Sequence, residues 1–131
     1  MDNIQIDATD RSPKVDFDFG KSVFLLEGES YPENVSEFFG PVIDKLSEHL
    51  KGLRDAGSGT VEFNFKLIYF NSSSAKVMMG LFDSLEEAAA DGVDVTINWY
   101  FEEDDDNMEE LGEEFGEDLE SATFNMKPIS E

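Results

Sequence analysis

From Thr60 to Phe101 the sequence alternates, then cycles, then alternates again, and this order restricts the fold more than any other feature. Val61, Phe63, Phe65, Leu67 and Tyr69 fall on one side of an extended segment; Glu62, Asn64 and Lys66 fall on the other. Near its end Ile68 and Phe70 make the second face apolar too, as expected for a strand buried on both sides there. Val77, Met78, Leu81, Phe82, Leu85 and Ala89 then recur at helical spacing, and Asp91-Gly92 closes the helix. Val93 to Phe101 reads as a second strand. Strand, helix and strand within about 40 residues predict a right-handed parallel crossover.

The flanking segments supply the rest of a sheet. Ile4, Ile6 and Ala8 alternate with polar residues, and a turn at Asp10-Arg11-Ser12-Pro13-Lys14 leads to a second alternation at Val15, Phe17 and Phe19. Gly20-Lys21 reads as a hairpin turn into a strand from Ser22 to Gly28. Ser30-Tyr31-Pro32-Glu33-Asn34 predicts a helix entry with Pro32 in the first turn. Phe38, Phe39, Val42, Ile43, Leu46 and Leu50 mark one buried helix face, ending near Gly52, with Pro41 costing a hydrogen bond inside it. Met108, Leu111, Phe115 and Leu119 give a third helical stripe, and Ala122, Phe124 and Met126 a last strand. The expected fold class is α/β: a mixed β-sheet of five or six strands with helices packed against it, in a single domain over 1–131.

Charge narrows the choice of partners. Thirty-one acids against nine bases give a net charge of −22. Nucleic acid and anionic membrane surfaces both need clustered Lys and Arg, so neither is an expected partner. Twelve phenylalanines and 40% apolar residues still supply a core. With no cysteine, disulfides and thiolate metal sites are excluded. The stretch Met1-Asp2-Asn3-Ile4-Gln5 has no basic or apolar leader character, and a cytoplasmic location is expected.

The strongest chemical candidate is Tyr69-Phe70-Asn71-Ser72-Ser73-Ser74-Ala75-Lys76, where a strand ends, three hydroxyls follow and a helix starts. Functional groups gather at such strand ends in α/β sheets. Serine here is ordinarily a cap that accepts a backbone N–H. A phosphoryl group would instead bring about −1.5 to −2 charges to the helix N-terminus, favoured by the local dipole and opposed by the acidic field. Acyl-transfer chemistry needs a general base, and the single histidine, His49, lies on the other predicted helix, where it reads as a surface residue. Counted from Asp104, the acidic run Glu102 to Asn107 leads to Met108 and Glu109 at the fifth and sixth positions of a calcium loop, where an acid and a glycine are needed, and it reads as an acid-rich helix start. Gly80, Gly112 and Gly116 interrupt helices and are expected to allow close packing. Met78 is expected in the core and Met79 half exposed.

Three phrases carry a family resemblance: Gly28-Glu29-Ser30-Tyr31-Pro32-Glu33-Asn34, the 69–76 segment, and Leu111-Gly112-Glu113-Glu114-Phe115. They resemble the SiaC family of bacterial biofilm-regulation phosphoproteins, whose members look like STAS domains, the fold of anti-sigma factor antagonists. The resemblance implies a non-enzymatic switch without cofactor. A dedicated protein kinase phosphorylates one hydroxyl, a protein phosphatase restores it, and the unmodified form binds and activates a diguanylate cyclase. That hydroxyl follows the strand-ending Asn, which places it at Ser72, with Ser73 as competitor and Asn71, Ser73 and Ser74 as switch loop and helix cap. Wider STAS switches carry Asp-Ser-Ser-Gly at this junction, whereas this chain has Asn71 for Asp and Ser74 for Gly. The competing readings are a small acidic metal-binding protein using residues 102–107, and an acidic adaptor that is never modified.

Overall fold

The crossover expected between Thr60 and Phe101 is one of three that follow each other along the chain. The computed structural model describes residues 2–130; Met1, part of the stretch read for a leader, and Glu131 lie outside the described residues. The elements are β1 (Ile4–Ile6), β2 (Lys14–Asp18), β3 (Val23–Ser30), α1 (Val35–Ala56), β4 (Thr60–Phe70), α2 (Ser72–Ala90), β5 (Asp94–Glu102), α3 (Asp106–Gly116) and β6 (Thr123–Ile129). The six strands lie in sequence order across one sheet. β1, β2 and β3 pair antiparallel, and β3 to β6 pair parallel. Successive crossovers of one hand that step in one direction leave their helices on the same face. α2 accordingly packs against both α1 and α3.

The helix-covered face holds the core. Phe17, Phe24, Phe63, Phe65 and Ile97 are sealed there beside Trp99, whose indole N–H donates to the Met108 carbonyl at 3.0 Å. Gly112 and Gly116 do allow close approach: a Cβ at Gly112 would stand 2.4 Å from the Trp99 ring, and one at Gly116 2.5 Å from Phe124. On the opposite face Asn64, Asn98 and Asn125 are lateral neighbours. The Asn98 amide donates to Asn64 Oδ1 at 2.9 Å, and the Asn125 amide to Asn98 Oδ1 at 3.0 Å. Both Asn64 and Asn98 are buried, so this chain satisfies groups that would otherwise be costly.

Four local expectations change. α1 does not end near Gly52 but runs to Ala56, because Gly57 supplies the left-handed cap (φ 65°) that returns its N–H to Arg54 and Leu53 carbonyls. Pro32 precedes the helix: Asn34 is the cap, its side chain accepting the Glu37 N–H at 3.1 Å. His49 is less exposed than a free surface residue. Its ring is half buried, edge-on to Phe19 and Phe24 at 5.4 and 5.6 Å, and 2.9 Å from Ser22 Oγ. Desolvation there lowers its pKa. Gly80 packs against nothing, since a Cβ there would have no neighbour within 4 Å.

Candidate functional site

A bulge near the end of β4 sets the site. Gly28 pairs with Leu67 and Glu29 with Tyr69, so Ile68 has no counterpart on β3. The extra residue shifts the alternation by one. Ile68 and Tyr69 are therefore 61% and 50% exposed, against the expectation that Tyr69 continues the buried face and Ile68 a second one. Phe70 turns back into the core, stacked on Phe115 at 5.9 Å and edge-on to Trp99 at 6.2 Å. The Asn71 N–H donates to the Ser30 carbonyl at 3.1 Å, fixing where α2 begins.

The serines then occupy three different surroundings. Asn71 is extended, its Oδ1 accepts the Ser74 N–H at 2.9 Å, and its carbonyl accepts the Ala75 N–H at 2.9 Å. Asn71 is thus the cap, out of the three residues, Asn71, Ser73 and Ser74, expected to form the switch loop and helix cap. The side chain of Ser74 points inward, where its Oγ accepts the Ser30 hydroxyl at 2.9 Å, both residues being fully buried. Ser72 and Ser73 are exposed. Their amides precede the first intrahelical bond and have no carbonyl within the helix.

The electrostatics of this end differ from those of the other helices. The first turn of α2 carries no acid, whereas α1 has Glu37 and α3 has Asp106 and Glu109. One turn into α2 stands Lys76, exposed and the single base of that helix. Among the described residues the ion pairs are made by Lys51 and Arg54, not by Lys76. Ser73 and Lys76 line a groove of about 490 Å³ between α1 and α2, floored by Val35, Ile43, Leu46, Leu50, Val77 and Leu81. No acid lines it, and the missing side chain of Gly80 helps to open it. Among the described residues, three of the four exposed large apolar side chains, Ile68, Tyr69 and Met79, lie on the strand end or on α2; Met79 is half exposed and Met78 sealed, as expected.

The remaining candidates sit elsewhere. His49 is engaged with Ser22 and not with Ser72, Ser73 or Ser74. The acidic run is a helix start: Asp105 Oδ1 accepts the Met108 N–H at 3.1 Å and caps α3. Among the described residues no cluster of three or more carboxylates or imidazoles is placed to share a metal ion. Sequence patterning missed Ser30, 44 positions before its partner Ser74, and the groove, which depends on how two helices lie together. The capping role of Asn71 had a signal, an Asn directly before a helical stripe.

Comparison with known proteins addresses this arrangement. The family model for SiaC family regulatory phosphoproteins matches residues 6–129. A protein of Pseudomonas aeruginosa (strain UCBPP-PA14) is 36% identical over 118 residues, covering 90% of each chain. The crystal structure of apo-SiaC from Pseudomonas aeruginosa superposes with a TM-score of 0.85 at 36% identity, covering 97% of this chain and 99% of that one. A chain in the crystal structure of the diguanylate cyclase SiaD in complex with its activator SiaC, from the same organism, gives a TM-score of 0.88 at 34% identity, covering 96% and 99%. The matches span almost every element that builds the strand end, the serines and the groove, and the chain belongs to the SiaC family of regulatory phosphoproteins.

Proposed function

We propose that this chain is a phosphorylation-controlled binding protein whose modified hydroxyl is Ser72. One observation carries the choice: Ser72 is exposed at the first position of α2 while Asn71 already does the capping. Its hydroxyl is free of structural duty, whereas that of Ser74 is committed to Ser30. Ser73 shares the exposure but is the second residue after the strand-ending Asn, one beyond the position that the family resemblance singles out.

In this reading the γ-phosphoryl of ATP passes to Ser72 Oγ, which loses its proton, and ADP leaves. A dedicated kinase performs the transfer and a phosphatase reverses it by hydrolysis. The unmodified form binds and activates a diguanylate cyclase in the cytoplasm. A relative in complex with the cyclase SiaD, as its activator, supports that direction. The chain performs no catalysis itself and acts as one STAS-like domain over 1–131. A phosphate adds about −1.5 to −2 charges where no acid stood, changing shape and field together for a docked partner.

The test is kinase assay with intact mass measurement on wild-type, Ser72→Ala and Ser73→Ala proteins. Wild-type and Ser73→Ala should gain one phosphoryl group and then release the cyclase, while Ser72→Ala gains none and stays bound. A phosphoryl gain by Ser72→Ala equal to that of wild-type overturns the assignment.

A further inference from the structure

The groove and the switch serine share one residue. Lys76 lies four positions after Ser72 on the same helix, so their Cβ atoms stand about 5–6 Å apart. An anion N-terminal to a cation at this spacing is the more favourable orientation, since it also complements the helix dipole. Lys76 has no ion-pair partner among the described residues, and it is the single charged residue lining the groove. We infer that Lys76 is the counter-charge of phosphorylated Ser72, and that this pairing withdraws the only charge from the groove between α1 and α2. The inference rests on Ser72 as the modified residue. Before modification the groove mouth presents a free ammonium group; afterwards that ammonium is held by the phosphate dianion on Ser72, which does not itself line the groove. The backbone need not move, because Asn71 and Ser74 hold the first turn through their own hydrogen bonds.

The experiment uses protein with phosphoserine genetically encoded at position 72, so that no kinase is needed, in wild-type, Lys76→Gln and Lys76→Arg backgrounds. Phosphorus NMR then follows the second ionisation of the phosphate against pH at low salt. A nearby ammonium favours the dianion, so Lys76→Gln should raise that pKa by about 0.2–0.4 unit and Lys76→Arg should restore it. High salt should shrink the difference, as expected for an exposed pair. Identical titrations in all three backgrounds overturn the inference. Failure of the Ser72 assignment shows elsewhere, as protein from its native cell that carries no phosphoryl group at Ser72.

Discussion

The two ends of α2 are built on opposite terms. At its C-terminus Arg54 of α1 donates to Asp91 at 2.7 Å and stands 3.7 Å from Glu87. The Asp91 and Val93 amides both return to the Ala88 carbonyl at 3.1 Å. Gly92 (φ 101°) brings its backbone so near Gly57 that a Cβ would lie 2.9 Å from that carbonyl. One turn earlier, Glu86 accepts the amides of Glu120, Ser121 and Ala122 at 2.9–3.1 Å, tying α2 to the entry of β6. At the N-terminus two hydroxyls and Lys76 stand exposed without such ties, beside an open groove. The N-terminus is held by Asn71 and by the buried Ser30–Ser74 pair, so the exposed Ser72, Ser73 and Lys76 can change charge with little effect on the fold. With Ser72 as the proposed modified residue, stability and regulation fall on different residues of one element.

Substitutions can break that division. Leu85→Ala, on the pinned half and fully buried, should cost about 2–5 kcal/mol in urea unfolding. A loss below that of ordinary surface substitutions would mean that this half is not the anchor. Ser74→Ala should cost about 1–3 kcal/mol by leaving the buried Ser30 hydroxyl without its acceptor. Adding Ser30→Ala should recover part of the loss, and no recovery would discount the pair. Gly80→Ala should raise stability by about 0.5–1 kcal/mol, since its methyl group meets nothing and helical alanine is favoured over glycine; a loss there would show that the groove is not open in solution.

Smaller effects sharpen the contrast. Desolvation alone pushes the Glu86 carboxyl up, but the amides of Ala122, Ser121 and Glu120 outweigh it and leave its pKa lowered. The stability contributed by Glu86 is therefore complete above the ordinary glutamate value of 4.5 and is lost as pH falls through the lower folded value. In Glu86→Gln the slope of stability with pH below 4.5 should flatten, and an unchanged slope would discount the tie. Smallest of all, Ser72→Ala should leave unfolding within about 0.5 kcal/mol of wild-type. A larger loss would give Ser72 a structural duty.

How far these features could be read from the chain depends on their range. The crossover from Thr60 to Phe101 was legible because period 2 gives way to period 3.6 within one contiguous segment. Gly112 and Gly116 were legible as helix interruptions that need a packing reason, and Trp99 and Phe124 supply it. Gly80 has the same local pattern and a different cause, because what faces a glycine is set by the neighbouring element. Tyr69 was assigned to the buried face by an alternation that holds only while both strands advance in step; the bulge opposite Gly28 (φ 111°) breaks it. His49 carried no sign of Ser22, 27 positions earlier.

Local pattern by itself determined a sheet of five or six strands, three helices, the acid-rich start of α3 and the position of the serines at a strand end, because periodicity and capping act over a few residues. Only the tertiary structure decided which serine is sealed and that Lys76 lies on a groove. Those outcomes turn on contacts between segments far apart in the chain: Ser30 with Ser74, and α1 against α2. Such contacts are fixed by which faces must be buried together, and no single segment carries that information.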